Sequence, residues 1–288
     1  MQKQIHKAKK SLGQNFLKSE PALRKIVEAG EVTKEDIVLE IGPGKGALTK
    51  KLLEKAGCVI AIEKDRNLFQ FLREKFKEEI ENKKLILIEG DVLEFDPYAI
   101  SSKLPNFSDT GFRGDYKIIA NIPYNITGAI LKKFLTSKNQ PILMVLMVQN
   151  EVAKRIVGTK THSTSLRVKE SILSISVKAY GTPKLEMKVP ARYFSPAPKV
   201  DSAIISIKNI SRKVFQENQQ KELSEKLELK FWEIIHAGFA HKRKILTSNL
   251  KNLLKKDTKI ETLGNLVLKN KRAEDLSLSE WILLTKNI

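Results

Sequence analysis

Three acidic residues, Glu40, Glu63 and Asp91, lie within or directly after three successive short apolar runs of the chain. Carboxylates at the ends of strands can accept hydrogen bonds from ribose hydroxyls, as Glu63 could, and from an adenine amine, as Asp91 could. Any one of these acids could be only a solvated charge at the end of a strand. Three of them at successive strand ends indicate an edge that binds a nucleoside.

A glycine-rich segment, VLEIGPGKGALT, connects the first of these runs to a helical pattern. Gly42 and Gly44 permit a tight turn with close backbone approach to a ligand, and Gly46 lets the helix begin near the strand. A phosphate-binding P-loop is excluded, because Lys45 is followed by glycine and not by Ser or Thr. A dinucleotide fold with Glu63 on the ribose remains open on the loop alone.

Glu40 favours S-adenosylmethionine over a dinucleotide. A carboxylate beside the glycine loop would repel a pyrophosphate, whereas it tolerates the amino acid end and the sulfonium of S-adenosylmethionine. The predicted cofactor is therefore S-adenosylmethionine.

A second group of residues with chemical potential is Asn121-Ile122-Pro123-Tyr124, which follows the fourth apolar run. The Asn121 side-chain oxygen and the Ile122 carbonyl could accept the two protons of an adenine amine, whose lone pair could then face a methyl group. Pro123 stiffens the turn, and Tyr124 could stack on a base removed from its helix. In another part of the chain this motif could be only a turn with an exposed aromatic residue.

Alternating strand and helix patterns position these groups. Strands are predicted over Ile37–Ile41, Val59–Glu63, Leu85–Glu89, Tyr116–Ala120, Ile142–Val148 and Ala203–Ile207, and helices over Ala47–Lys55, Asp65–Ile80 and Thr127–Leu135. This order is typical of a doubly wound α/β fold. The predicted organisation is a Rossmann-like methyltransferase sheet over residues 1–208, which would be the catalytic domain, and a small all-helical domain over residues 209–288.

Composition restricts the class of partner. The 288 residues carry 52 Lys and Arg against 33 Asp and Glu, a formal net charge of +19, which favours a polyanionic partner. We expect a soluble chain, because the longest apolar run, Pro141 to Val148, is too short to span a membrane. The N-terminus lacks the apolar stretch of a secretory signal and the single Cys58 cannot form an internal disulfide, so a cytoplasmic location is predicted. The four histidines lack metal-ligand spacing and Cys58 lies in an apolar run, so no metal site is predicted.

At this point the sequence resembles the ribosomal RNA adenine dimethyltransferases, most closely the KsgA type that modifies the small subunit. The glycine loop is generic, but the ordered set of motifs is specific and spans nearly the whole chain. It comprises SLGQNFL at Ser11–Leu17, the glycine loop, Glu63, Asp91, the NIPY turn, QNEVAKRI at Gln149–Ile156, FSPAPKVDSA at Phe194–Ala203, HKRKILTSNL at His241–Leu250 and RAEDLSLSEW at Arg272–Trp281.

The resemblance implies roles for individual residues. Asn15 and Leu17 would close over the cofactor, Phe194 would stack on the flipped adenine opposite Tyr124, and Asn121 would border both cofactor and target. Cation clusters such as Lys242-Arg243-Lys244 would bind phosphates. The residues expected to hold the cofactor itself are Gly42, Gly44, Glu63, Asp91 and Val92.

The implied reaction is dimethylation of two adjacent adenosines near the 3′ end of small-subunit ribosomal RNA, in an assembling subunit and by a monomer. Two rivals remain: the related large-subunit enzyme of the macrolide-resistance type, and a non-catalytic RNA-binding assembly factor on the same fold. Two segments depart from the family pattern, the long loop Ser101–Asp115 and the turn Thr161–Leu166.

Overall fold

The computed structural model describes residues 8–96, 115–158, 169–216, 220–251, 253 and 270–288. Its contacts divide the chain into two units, Met1–Ala153 with Thr182–Ile210, and Lys154–Gly181 with Ser211–Ile288. The sequence-based division near residue 209 assigns 154–181 to the first domain, whereas the structure groups this segment with the second unit. The turn Thr161–Leu166 and, apart from Asp115, the loop Ser101–Asp115 lie outside the described residues.

The first unit is built on a seven-stranded sheet with the order β4-β3-β2-β5-β6-β9-β7, and β1 and β8 form a separate two-stranded pair. The strands are β1 Phe16–Leu17, β2 Ile37–Ile41, β3 Cys58–Glu63, β4 Leu85–Glu89, β5 Lys117–Asn121, β6 Leu143–Gln149, β7 Thr182–Val189, β8 Phe194–Ser195 and β9 Ser202–Lys208. Strands β2 and β3 are buried along their whole length and β6 in all but its last residue, which explains their near-continuous apolar runs.

Strands β4, β3, β2, β5 and β6 run parallel, so their carboxyl ends meet at one edge of the sheet. Strand β9 pairs antiparallel with both β6 and β7. The predicted α/β Rossmann-like fold is confirmed, with the addition of this antiparallel pair. Strand β7 is not among the predicted strands, and its Lys- and Glu-containing stretch suits an edge strand.

Helices precede, connect and follow the parallel strands. They are α1 Glu20–Ala29, α2 Ala47–Lys55, α3 Arg66–Lys75, α4 Lys77–Glu81, α5 Thr127–Leu135 and α6 Asn150–Val157. Ser19 caps α1 by accepting a hydrogen bond from the Ala22 amide, and Pro21 lies in its first turn. Apolar residues of α1 and α2 pack with those of the central strands in one core cluster.

The helix predicted over Asp65–Ile80 is interrupted at Phe76, which ends α3 and precedes α4. Phe76 is buried, and a Cβ atom at Gly46 would lie 2.5 Å from its ring. The chain therefore leaves the helical path where this ring packs under the glycine loop, a long-range contact that helical periodicity does not encode.

The second unit contains α7 Ile172–Lys178, α8 Lys221–Gly238, α9 Leu246–Leu250 and α10 Leu278–Asn287. The Tyr180 hydroxyl donates to Glu228 at 2.5 Å and accepts from the Trp232 indole at 3.0 Å. Trp281 stacks on Phe239. Tyr180 therefore ties the segment before β7 to α8. No strand occurs among the described residues after Lys208, and no helix of the described chain is long and apolar enough to cross a membrane.

Candidate active site

A cavity of about 650 Å³ in the first unit brings together most of the predicted site residues. Its size falls within the usual range for small-molecule sites. The predicted residues that line it are Asn15, Leu17, Gly42, Gly44, Glu63, Asp91, Val92, Asn121, Ile122, Pro123 and Tyr124. They come from the N-terminal segment, the glycine loop and the carboxyl ends of β2 to β5. This is the edge at which doubly wound sheets bind ligands.

The glycine loop adopts the backbone that the sequence predicts. Gly42, Gly44 and Gly46 all have positive φ angles, between 59° and 73°. A Cβ atom at Gly44 would lie 3.1 Å from the ring of Phe16, whereas one at Gly42 would meet nothing within 4 Å. The loop therefore combines a strained left-handed backbone with close approach to a neighbouring chain segment, and both require glycine.

Glu63 ends β3 and is nearly fully buried. Its Oε2 accepts from the Gly44 amide at 3.0 Å and its Oε1 from the Asp65 amide at 2.8 Å. Burial raises the pKa of this carboxyl group above its usual value. Each carboxylate oxygen has a second lone pair, so Glu63 can accept further hydrogen bonds from two neighbouring hydroxyls.

Asp91 follows β4 and differs electrostatically from Glu63. Its Oδ2 lies 2.6 Å from the Lys64 ammonium, and its Oδ1 accepts from the Leu93 amide at 2.9 Å. The hydrogen bond from Lys64 is the largest cause of a pKa below the usual value. Asp91 is therefore ionised at neutral pH and fixed in direction, as an acceptor for a nucleobase amine requires.

The Glu40 side chain does not carry the fixed negative charge that was expected from the sequence. It lines the cavity but is 1% exposed, and burial raises its pKa to about 8. At neutral pH the carboxyl group is therefore mostly protonated. A protonated carboxyl would repel a pyrophosphate less than the predicted carboxylate, and a neighbouring cation or polar ligand would favour its ionised form.

Asn121 ends β5 with its side chain oriented by the backbone. Its Nδ2 donates to the Asn15 carbonyl oxygen at 3.2 Å. A carbonyl can only accept, so the amide nitrogen must face Asn15 and Oδ1 remains available as an acceptor. The N-terminal segment thereby presents the Asn121 oxygen that the predicted chemistry needs.

Tyr124 begins a short 3₁₀ helix, Tyr124–Ile126, directly after Pro123. Its hydroxyl lies 2.5 Å from Ser202 Oγ, and burial raises the pKa of the phenol. Thr127 Oγ1 donates to the Tyr124 carbonyl at 3.1 Å. The ring is therefore held at both its hydroxyl and its backbone while it borders the cavity.

Phe194 is placed differently from the other predicted site residues. It is 3% exposed, belongs to the core cluster and pairs with Leu17 across the β1 and β8 strands. Its neighbour Ser195 lines the cavity in its place. Stacking of Phe194 on a base stays a prediction and requires this ring to become accessible.

Three neighbours of the site are missed by sequence reasoning. Lys64 and Asp65 follow Glu63 directly. Asp65 caps α3 and lies two residues after Glu63, and this position could have marked it as a neighbour of the site from the sequence alone. Ser202 lies within the FSPAPKVDSA motif, but only the pairing of β9 with β6 shows that it contacts Tyr124.

Among the described residues, no group of three or more His, Cys, Asp or Glu side chains could hold a metal ion.

The arrangement fits S-adenosylmethionine on the chemistry of its groups. The glycine backbone leaves open space at Gly42, Glu63 offers acceptors for a diol, and ionised Asp91 offers one for an adenine amine. Glu40 adds a buried carboxyl that can ionise beside a cation.

Comparison with known proteins agrees with this arrangement. Residues 5–288 match the family model described as ribosomal RNA adenine dimethylase. Ribosomal RNA small subunit methyltransferase A of Dehalococcoides mccartyi strain CBDB1 is 41% identical, covering 96% of this chain and 86% of the relative. The protein of the same name from Rippkaea orientalis is 36% identical and covers 96% of both chains.

Solved structures share the fold. A dimethyladenosine transferase from Plasmodium falciparum is 27% identical with a TM-score of 0.69, covering 94% of this chain and 97% of that one. The 23S rRNA methyltransferase ErmE has the same TM-score of 0.69 at 22% identity, covers 95% of this chain and 99% of its own, and shows the fold alone. The resemblance predicted from the motifs is confirmed: the chain belongs to the ribosomal RNA adenine dimethylase family.

Proposed function

We propose that this chain uses S-adenosylmethionine to dimethylate the exocyclic amines of two adjacent adenosines near the 3′ end of small-subunit ribosomal RNA. The single observation that supports this most strongly is the orientation of Asn121, whose Nδ2 is held by the Asn15 carbonyl at the end of β5. The curated relatives, which are named as small-subunit methyltransferases, favour the small subunit over the large one.

Binding of the cofactor falls to the strand-end residues. Glu63 would accept hydrogen bonds from the ribose hydroxyls, Asp91 would accept one from the adenine amine, and the backbone at Gly42 and Gly44 would allow the cofactor to approach closely. Val92 is buried at the cavity wall, where it would pack against the adenine ring. When bound, S-adenosylmethionine supplies an electrophilic methyl group on a positively charged sulfur.

The target amine is activated by acceptors, because its lone pair is otherwise delocalised into the adenine ring. Asn121 Oδ1 and the Ile122 carbonyl would accept hydrogen bonds from the two N–H groups of the amine, so that its lone pair faces the methyl group. The methylated nitrogen is strongly acidic and loses a proton to water, so no dedicated general base is needed. Tyr124, anchored through Ser202, stacks on the flipped base.

The second unit is proposed to hold the RNA. Lys242, Arg243 and Lys244 are all exposed in the turn between α8 and α9. The Asn249 side chain fixes this turn by donating to the carbonyls of Gly238 at 2.6 Å and of His241 at 3.1 Å. Three cations on a fixed turn can contact successive phosphates.

Another basic segment of the second unit, Lys269 to Arg272, is less suited to this role. Lys271 forms an ion pair with Glu280 at 2.7 Å, and Lys269 lies outside the described residues. The proposed phosphate contacts therefore concentrate on residues 242–244. We further propose that the protein acts in the cytoplasm as a monomer on an assembling small subunit.

The test is mass spectrometry of both ribosomal RNAs after each subunit is incubated with the protein and isotope-labelled cofactor. We expect dimethyladenosine at two adjacent positions of the small-subunit RNA alone. Label in the large-subunit RNA would overturn the proposed target. Cofactor binding without label in either RNA would point to the non-catalytic assembly factor.

A further inference from the structure

The N-terminal segment Lys9–Leu17, here called the strap, lies along the cavity wall. Its residues from Ser11 to Leu17 all line the cavity. At its carboxyl end, the strap is held by the antiparallel pairing of β1 with β8. In β1 itself, the Phe16 ring packs beside Gly44, and the Lys45 ammonium lies 4.8 Å from the ring centroid.

The other end of the strap is held by one side chain, Asp65. Lys9 Nζ lies 2.8 Å from Asp65 Oδ1, and Gln14 Nε2 donates to Asp65 Oδ2 at 2.9 Å. Gln14 also accepts from the Lys9 amide at 2.8 Å, so the two strap residues support each other. The Asp65 side chain is only 3% exposed.

Burial of Asp65 makes these two contacts strong. Burial alone acts to raise its pKa, but the hydrogen bonds from Lys9, Gln14 and the Asn67 amide, together with the charge of Lys9, outweigh burial, and the pKa lies below its usual value. A buried carboxylate that loses its cation and its donor is unfavourable. Withdrawal of the strap would leave Asp65 with the Asn67 amide as its remaining donor among those described, so Asp65 favours the closed strap.

Asp65 is also bonded to the cofactor-binding acid. Its amide donates to Glu63 Oε1, while Glu63 Oε2 accepts from the Gly44 amide. A continuous set of hydrogen bonds therefore runs from the strap through Asp65 to Glu63 and the glycine loop. The strap in turn supplies the Asn15 carbonyl that orients Asn121.

We propose that Asp65 is a positioning residue that holds the strap closed over the cofactor cavity and thereby slows cofactor release. The proposal rests on the proposed function only for the identity of the cofactor. Asp65 itself contacts neither the cofactor nor the target base in this assignment. It acts through Lys9 and Gln14 on one side and through Glu63 on the other.

The test uses the full-length variants Asp65→Asn, Lys9→Met and their combination. Asparagine can still cap α3, so Asp65→Asn removes the charge and keeps the hydrogen bond from the Asn67 amide. The matched control is Lys51→Met, which removes an ion pair of the same 2.8 Å length, with Glu20, away from the cavity. The readouts are calorimetric affinity for S-adenosylmethionine, its release rate, and hydrogen exchange of residues 9–17.

We expect Asp65→Asn and Lys9→Met each to weaken cofactor binding roughly tenfold, through faster release, as the loss of one hydrogen bond to a charged group would. The double variant should lose little more than either single one, because the two residues share one contact. Hydrogen exchange of the strap should quicken in these variants and not in Lys51→Met.

Cofactor release and strap exchange equal to those of Lys51→Met would overturn the proposal. If Asp65→Asn does not fold, Lys9→Met and Gln14→Leu still test it, since both leave the α3 cap in place. A wild-type protein that does not bind S-adenosylmethionine would overturn the proposed function instead, and strap exchange would still report whether Asp65 holds the strap.

Discussion

The Tyr124 hydroxyl lies 2.5 Å from the hydroxyl of Ser202, which is fully buried at the start of β9. The antiparallel strand β9 lies on the other side of β6 from β5, and it thus contacts the NIPY turn that follows β5. This bond fixes the direction of the long axis of the aromatic ring that is proposed to stack on the target base.

We expect Ser202→Ala to lower the single-turnover methylation rate about tenfold while cofactor affinity is unchanged, because the freed phenol loses about 1–1.5 kcal/mol of orienting hydrogen bond. Tyr124→Phe should have a similar effect, and the double variant should add little. The control is Ser206→Ala, which removes a fully buried hydroxyl on the same strand that donates to Glu186. Equal methylation rates for the two serine variants would contradict the proposal that Ser202 orients the Tyr124 ring.

Asn121→Ala should lose most turnover with only a modest loss of RNA affinity, because it removes an interaction that develops chiefly in the transition state. Asn121→Asp should also lose turnover, since a carboxylate cannot donate to the Asn15 carbonyl that orients the native amide. Single-turnover kinetics and RNA binding measure the two effects. A near-normal rate in Asn121→Ala would contradict the proposed activation of the amine.

Glu63→Ala should weaken S-adenosylmethionine binding while RNA binding survives, because the variant removes the acceptor for the ribose. The control is Glu89→Ala, since Glu89 holds the same register position on the neighbouring strand β4 but is exposed and outside the cavity. Calorimetry on both variants measures the effect. An unchanged affinity in Glu63→Ala would contradict the ribose assignment.

Glu40 should make the stability of the cofactor-free protein fall as the pH rises. Its pKa is raised from 4.5 to about 8, so the stability present below pH 4.5 is lost as the pH approaches 8. The free energy of unfolding of Glu40→Gln minus that of wild type should be larger at pH 8.5 than at pH 5.5 by more than ~1 kcal/mol, since one pKa unit corresponds to about 1.4 kcal/mol. Urea unfolding at the two pH values measures this, and a pH-independent difference would contradict the raised pKa.

Replacement of Lys242, Arg243 and Lys244 by Gln should make RNA binding less sensitive to salt, with the slope of log affinity against log salt reduced by about 2–3 for three phosphate contacts. The control replaces Lys221, Lys226 and Lys230 of α8 by Gln, an equal change of charge in the same unit. Equal slopes for the two triple variants would show that residues 242–244 do not bind phosphates.

A chain ending near residue 209 is a poorer test of the same idea. It would remove Glu228 and Trp232, which both hydrogen-bond to the Tyr180 hydroxyl. Loss of RNA binding in such a chain could then reflect damage to the segment 154–181.

The sequence by itself determined the parallel strands, the helices α2 and α5, the glycine loop and eleven of the residues that line the cavity. These follow from local patterns, since buried strands are apolar throughout and left-handed turns need glycine. The sequence also predicts that the residues at the strand ends form one site, because parallel strands bring Glu63, Asp91 and Asn121 to one edge of the sheet.

Only the tertiary structure decided the contacts between segments distant in sequence. The break at Phe76, the pairing of β9 with β6 and β7, the bond from Tyr124 to Ser202 and the anchoring of the strap on Asp65 all depend on such contacts. The protonation of Glu40 depends on burial by the surrounding chain, which lowers the local dielectric and disfavours the charged form. Local sequence specifies which groups are present, whereas packing decides their partners and their charge.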